Sequence, residues 1–267
     1  MAGNPENIFF PRKVARHPRR QAVNGKNGSR AGRRLRTGES RLPGSGTEEE
    51  ESAGTDVNSP MELPEQTEGK RTAMQRTEPA LCGGRKLVTI DGPCATGKTS
   101  LADELAAVFS AFVVHTDDYV IPHAQKTAER LAVPGGNCDR ERLVREVVAP
   151  WKRGEKVMLR KYDFRHDRLL PAEEVPDVRV LILEGSYCNL PEIRQYADLR
   201  FFVTASRDIR EERLKKRETP QSLQMFHERW IPLEDRYFSA YALPDRDCIL
   251  ICTDPPDESP VSGSEMK

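Results

Sequence analysis

"DGPCATGKTS", residues 91–100, decides the fold. Glycines 92 and 97 bracket four residues, and a lysine and two hydroxyls follow, so Gly92–Thr99 fits G-x-x-x-x-G-K-[ST]. The flanks fit as well. "KLVTIDG" (86–92) reads as a short apolar strand, and "SLADELAAVF" (100–109) as a helix with Leu101, Leu105, Val108 and Phe109 on one face. A loop between a strand and a helix can close its backbone N–H groups around a phosphate, and the helix N-terminus adds partial positive charge. Gly92, Pro93, Cys94, Ala95, Thr96, Gly97, Lys98, Thr99 and Ser100 therefore form the candidate triphosphate site. Lys98 supplies the cation for the β- and γ-phosphates, and Thr99 the hydroxyl for Mg²⁺. Cys94 reads as a small filler of the loop.

Outward from the loop, strands alternate with helices. "FVVHTDD" (112–118), "VRVLILEG" (178–185), "DLRFFVTA" (198–205) and "DCILICT" (247–253) are apolar runs of strand length. The second is nearly continuous, as in a central parallel strand buried on both faces. "NCDRERLVREVVAPW" (137–151) predicts a helix with Asp139 as N-cap and Pro150 as its stop. The alternation predicts an α/β fold: a P-loop NTPase with a parallel, doubly wound sheet flanked by helices.

Three further places carry chemistry. In such a sheet, ligands sit beyond the C-terminal ends of the strands. Asp117 and Asp118 follow the second strand there; Asp117, nearer the strand, is the candidate base for an attacking hydroxyl. Glu184 stands at the tip of the apolar strand, where a carboxylate can hold the magnesium beside Thr99. "ASRDIREERLKKRE" (205–218) is a helix charged nearly all round, with arginines at helical spacing. Read as a lid, it offers Arg207, Arg210 and Arg213 to the transferring group; read plainly, it is a solvated surface helix. "RWIPLEDRYFSAYALP" (229–244) reads as core packing, with Glu234 and Arg236 as an ion pair.

The chain has 267 residues and no net charge, which gives no reason to expect nucleic acid or a membrane surface as partner. No apolar run reaches the length of a membrane span. Six cysteines without a C-x-x-C pair read as reduced thiols of a cytoplasmic protein, with no zinc site. Residues 1–80 carry few apolar residues, an Arg-rich stretch (12–41) and an acidic run (Glu48–Glu51), so they read as a disordered extension. A transit peptide, anionic-polymer binding, or a start at Met61 or Met74 are the other readings. The kinase-like domain is expected over 81–257, with a flexible tail at 258–267.

The ordered set of phosphate loop, Asp-Asp-Tyr (117–119), "NCD" (137–139), "YDFRH" (162–166), strand with Glu184-Gly185, and Arg-rich helix resembles the uridine kinase family of P-loop nucleoside kinases. The resemblance implies ATP and Mg²⁺ as cofactors and a nucleoside-like acceptor such as uridine or cytidine. It implies Asp117 as the acceptor-activating carboxylate and Glu184 on the metal side. It implies Asp139 on the ribose hydroxyls, and Tyr162 and His166 on the base. From the residues alone, Asp139 is equally a helix cap, and Tyr162, Phe164 and His166 equally strand packing. The stretch 121–136 and Ser186-Tyr187-Cys188 depart from the family's pattern, which leaves another ribosyl or polyol acceptor open. A GTPase-like switch would need N-K-x-D, which is missing. A nucleotide-binding regulator without turnover is the reading from outside enzymology, and it leaves Asp117 and Glu184 together unexplained. Oligomeric state is not legible.

Overall fold

The computed structural model describes residues 68–255. The Arg-rich and acidic stretches, Met61 and the tail 258–267 lie outside the described residues. Five strands build the central sheet: β1 (Lys86–Asp91), β2 (Phe112–His115), β3 (Val180–Glu184), β4 (Leu199–Thr204) and β5 (Ile249–Cys252). Their order is β2-β3-β1-β4-β5, and every neighbouring pair is parallel. Alternate side chains along the strands divide the core into two faces, as the two-residue period requires. Leu87, Leu181, Leu183 and Phe202 pack on one face with Val147, Trp151 and Tyr237. Val88, Ile90, Ile182, Phe201 and Val203 pack on the other with Leu101 and Leu105. All of β3 is buried, so its run of apolar residues is what a central strand needs.

Helices α1 (Glu68–Ala80) and α2 (Lys98–Phe109) cover one face, α3 (140–152) and the end of α5 (220–240) the other, and α4 (Arg207–Arg217) packs with the start of α5 against the loop after β1. On α2 the buried residues are Lys98, Leu101, Ala102 and Leu105; Val108, expected on the same face as the two leucines, is 50% exposed. On α3, Pro150 does not stop the helix. A π turn over Val144–Val148, where Ala149 N–H donates to Val144 O, widens the helix just before the proline, and the chain continues to Lys152. Among the described residues no helix is long and apolar enough to cross a membrane.

The expected boundary at residue 80 needs correction. Residues 68–80 are helix α1, packed against β5 and β4. Ala73 and Thr77 are buried, and Lys70 pairs with Glu104 of α2. A Cβ on Gly69 would meet Cys252 O at 2.1 Å, so the glycine lets the helix backbone approach strand β5. The expectation failed because this segment carries almost no apolar residues; it docks through close backbone approach rather than an apolar stripe. A chain starting at Met61 retains α1, whereas one starting at Met74 loses its first half. The Met74 chain should melt roughly 5–10 °C lower, about 2–3 kcal/mol for a domain of this size. Equal melting temperatures would show that the first half of α1 contributes nothing.

Candidate active site

The loop begins where β1 ends. Asp91 is fully buried and takes three donors: Gly92 N–H at 2.7 Å, Asn189 N–H at 2.9 Å and the Tyr237 hydroxyl at 2.8 Å. Burial pushes its carboxyl up to about 6 against the pull of those donors. Gly92 has φ 138°, and a Cβ there would lie 2.1 Å from Val203 O, so only glycine fits the close pass of the loop over β4. Ala95 adopts a left-handed φ of 61°, unusual for a residue with a Cβ. Lys98 Nζ donates to Gly92 O at 2.7 Å and Pro93 O at 2.8 Å, which keeps its charge at the mouth of the loop. Thr99 and Ser100 stand exposed in the first turn of α2.

Parallel register sets the next two groups side by side, His115 of β2 opposite Glu184 of β3. The Thr99 hydroxyl donates to Glu184 Oε1 at 3.2 Å, and His115 Nδ1 lies 2.7 Å from Oε2. That hydrogen bond raises the His115 pKa. Thr99 and Glu184 thus converge as hard oxygen donors, the type that suits Mg²⁺. Among the described residues no group of three or more His, Cys, Asp or Glu could hold a metal unaided. Mg²⁺ commonly takes one or two carboxylates and fills its remaining positions with water and phosphate oxygens.

Asp117 lies in the single helical turn Thr116–Asp118 after β2. The residue is exposed, yet its carboxyl is crowded by protein. Burial raises its carboxyl pKa first and Glu184 second, with Lys98 and His115 opposing. Asp118 differs: it is buried, with Oδ2 3.9 Å from Lys161 Nζ, and its carbonyl accepts from Arg142 Nη2 at 3.4 Å.

Helix α4 does dock on the loop. Arg210 Nε donates to Cys94 O at 3.0 Å; Arg213 Nη1 donates to Ala95 O at 3.2 Å and Nη2 to Thr253 O at 2.7 Å. Arg207 is exposed at its first turn. A cavity of about 270 Å³ opens there, bounded by Ile209, Glu212, Arg213, Lys216, Thr253 and Pro255. A larger one of about 400 Å³ lies at the opposite end of the strands, where Arg194 and Arg200 already pair with Asp245. Asp139 caps α3: its carboxylate accepts from Arg142 N–H at 3.1 Å and from Arg142 Nε at 2.9 Å. Tyr162, buried on a small hairpin, donates its hydroxyl to Asp167, while His166 is exposed with Nδ1 2.7 Å from Asp163 Oδ2.

Lys98, Thr99, Asp117, Glu184, Arg210 and Arg213 therefore gather around the loop, and Arg207 and His166 stand outside. Two residues of this neighbourhood have no site role in the sequence reading. His115 was within reach, because it ends β2 as Glu184 ends β3. Glu234 was misassigned. Arg236 donates instead to Leu131 O and Ala132 O, and Glu234 turns inward to the loop. Residues two apart on a helix do not face each other.

The model of the Phosphoribulokinase / Uridine kinase family matches residues 87–221, half of the chain. Among solved structures, a possible uridine kinase from Bacillus stearothermophilus superposes with a TM-score of 0.53 at 22% identity, covering 68% of this chain and 97% of that one. A candidate fructose transport system kinase from Silicibacter sp. TM1040 gives 0.52 at 22% identity, covering 68% and 98%. At that identity the likeness shows the fold alone. No curated protein sequence matches the chain.

Proposed function

The chain belongs to the Phosphoribulokinase / Uridine kinase family, and from that premise we propose that it transfers the γ-phosphoryl group of Mg²⁺–ATP to the hydroxyl of a small, nucleoside-like acceptor. The observation that carries this reading is the placement of Asp117. An exposed residue whose carboxyl has a raised proton affinity and feels both Lys98 and Glu184 stands where an acceptor hydroxyl can reach it.

In this reading the triphosphate lies along Gly92–Thr99. Lys98 leaves the Gly92 and Pro93 carbonyls for the β- and γ-phosphate oxygens, and the first-turn N–H groups of α2 point at the same oxygens. Thr99 and Glu184 would hold Mg²⁺, which when bound neutralises phosphate charge. The cavity between α4 and Thr253 is assigned to the nucleotide base. Asp117 accepts the proton of the attacking hydroxyl. Asp139 and Tyr162 contact the acceptor, their orientation fixed by Arg142 and Asp167. His166 and Arg207, standing farther out, close over it. Arg210 and Arg213 hold the back of the loop and present their remaining N–H groups to the transferring phosphoryl.

A coupled ADP-release assay over a panel of nucleosides, ribosyl compounds and polyols tests the proposal. ADP release that requires one of these acceptors supports it. Release without acceptor, or tight ATP binding with no release under any acceptor, would overturn it. The pH profile adds a second check. Because burial and Glu184 hold the Asp117 carboxyl above the usual range, kcat should fall on acidification at a pH above the ordinary aspartate range. An acidic limb at or below that range would remove Asp117 from the role of base.

A further inference from the structure

We propose that Glu234, together with Ser186, is a positioning residue of the phosphate loop: it fixes the Pro93–Cys94 peptide, just before the left-handed turn at Ala95, in the geometry that receives the triphosphate. The inference rests on reading Gly92–Thr99 as the triphosphate site. Glu234 lies on α5 and is 7% exposed. Both of its oxygens are committed. Cys94 N–H donates to Oε2 at 2.9 Å, and the Ser186 hydroxyl donates to Oε1 at 2.6 Å. Ser186 follows Glu184 by two residues, so one carboxylate joins the phosphate loop, the end of β3 and α5.

The loop needs such an anchor at this place. Ala95 holds a left-handed φ of 61°, and an alanine there costs about 1–2 kcal/mol unless its surroundings determine it. Three contacts on successive peptides bracket it. Glu234 takes the N–H of Cys94, Arg210 donates to the Cys94 carbonyl, and Arg213 to the Ala95 carbonyl. The two arginines reach the loop from α4, so Glu234 is the contact from the other side. Without it, the buried Cys94 N–H loses its partner and the Pro93–Cys94 peptide can rotate, which loosens the approach to the left-handed turn at Ala95. Ser186, one of the residues that departs from the family's pattern, is thereby joined to Glu234 in one device.

The geometry also says what a good replacement is. In Glu234→Gln the amide oxygen can still accept from Cys94 N–H. Its Nε2 can donate to Ser186 Oγ, whose proton then turns to Gly92 O, 3.4 Å away. Glutamine therefore restores both links without the charge, and alanine restores neither.

Two measurements on the full chain decide the matter: affinity for Mg²⁺–ATP without acceptor by titration calorimetry, and hydrogen exchange of the Cys94 amide. Glu234→Ala should weaken Mg²⁺–ATP at least tenfold and speed Cys94 exchange, with Glu234→Gln within about threefold of wild type on both. Ser186→Ala should have a smaller effect of the same kind. The double variant Glu234→Ala/Ser186→Ala should be no worse than Glu234→Ala alone, since the two act through one hydrogen bond. A purely structural Glu234 would lower the melting temperature yet leave affinity and Cys94 exchange as in wild type, and that result would overturn the proposal. So would Glu234→Gln proving as weak as alanine, or effects that multiply in the double variant. Should Glu234→Ala not fold, Glu234→Gln and Ser186→Ala carry the same comparison. If the wild type itself bound no ATP, the functional reading would fall, and Cys94 exchange would still decide the anchoring.

Discussion

Lys98→Ala should abolish phosphoryl transfer, with kcat down by at least 100-fold, while the protein stays folded. A loss of that size is about 3 kcal/mol of transition-state stabilisation, the scale seen when one preorganised donor is removed from a reacting centre. The structure explains why the fold should survive. Among the described residues, Lys98 Nζ donates only to the Gly92 and Pro93 carbonyls, within the loop itself. The loop is held from outside by Asp91, Glu234, Arg210 and Arg213, none of which touches Lys98 by a hydrogen bond. Melting temperature should therefore move by no more than a few degrees. Steady-state kinetics and a thermal melt on the same preparation check both halves. A variant that retains a tenth of wild-type turnover would mean that this loop does not hold the transferring phosphate.

What could be read from sequence follows from the kind of signal each element carries. The strands were legible because buried parallel strands need uninterrupted apolar runs, and Val180–Leu183 is one. The phosphate loop was legible because its glycines answer a backbone need: Gly92 passes within contact of Val203 O, and no other residue can. The lid reading of 205–218 was legible only as a choice between a solvated helix and a docked one. The arginines that decide it, Arg210 and Arg213, bond to loop carbonyls more than a hundred residues earlier, a distance no local pattern encodes. Helix α1 was illegible because Ala73 and Gly69 dock it by being small. Glu234 was illegible for a related reason. Seen in sequence, its neighbour is Arg236; in space, its partners are Cys94 and Ser186. Ser186 and Tyr187, noted as departures from the family's pattern, are the residues that meet α5, where Tyr187 packs its ring 4.9 Å from Tyr237. Both departures therefore lie on one side of a single contact, whose other side is α5.

Asp117→Asn is the sharper test of chemistry. It should keep ATP affinity and lower turnover with the true acceptor by roughly 10²- to 10⁴-fold, the range for a lost general base. Asparagine keeps the shape and hydrogen-bonding reach of aspartate but takes no proton. Glu184→Gln should behave differently. Glu184 meets the Thr99 hydroxyl and His115, on the side where Mg²⁺ is expected, so its loss should appear as a raised Mg²⁺ requirement that added magnesium partly relieves. Magnesium should not relieve Asp117→Asn. Titration of turnover against Mg²⁺ for both variants separates the roles, and rescue of Asp117→Asn in place of Glu184→Gln would exchange them. Asp118→Asn supplies the internal comparison. Asp118 is buried beside Lys161, and its carbonyl is held by Arg142, so its change should cost stability more than turnover. If instead Asp118→Asn stops the reaction and Asp117→Asn is mild, the base is the buried neighbour, and the cleft must open toward Lys161 to admit the acceptor.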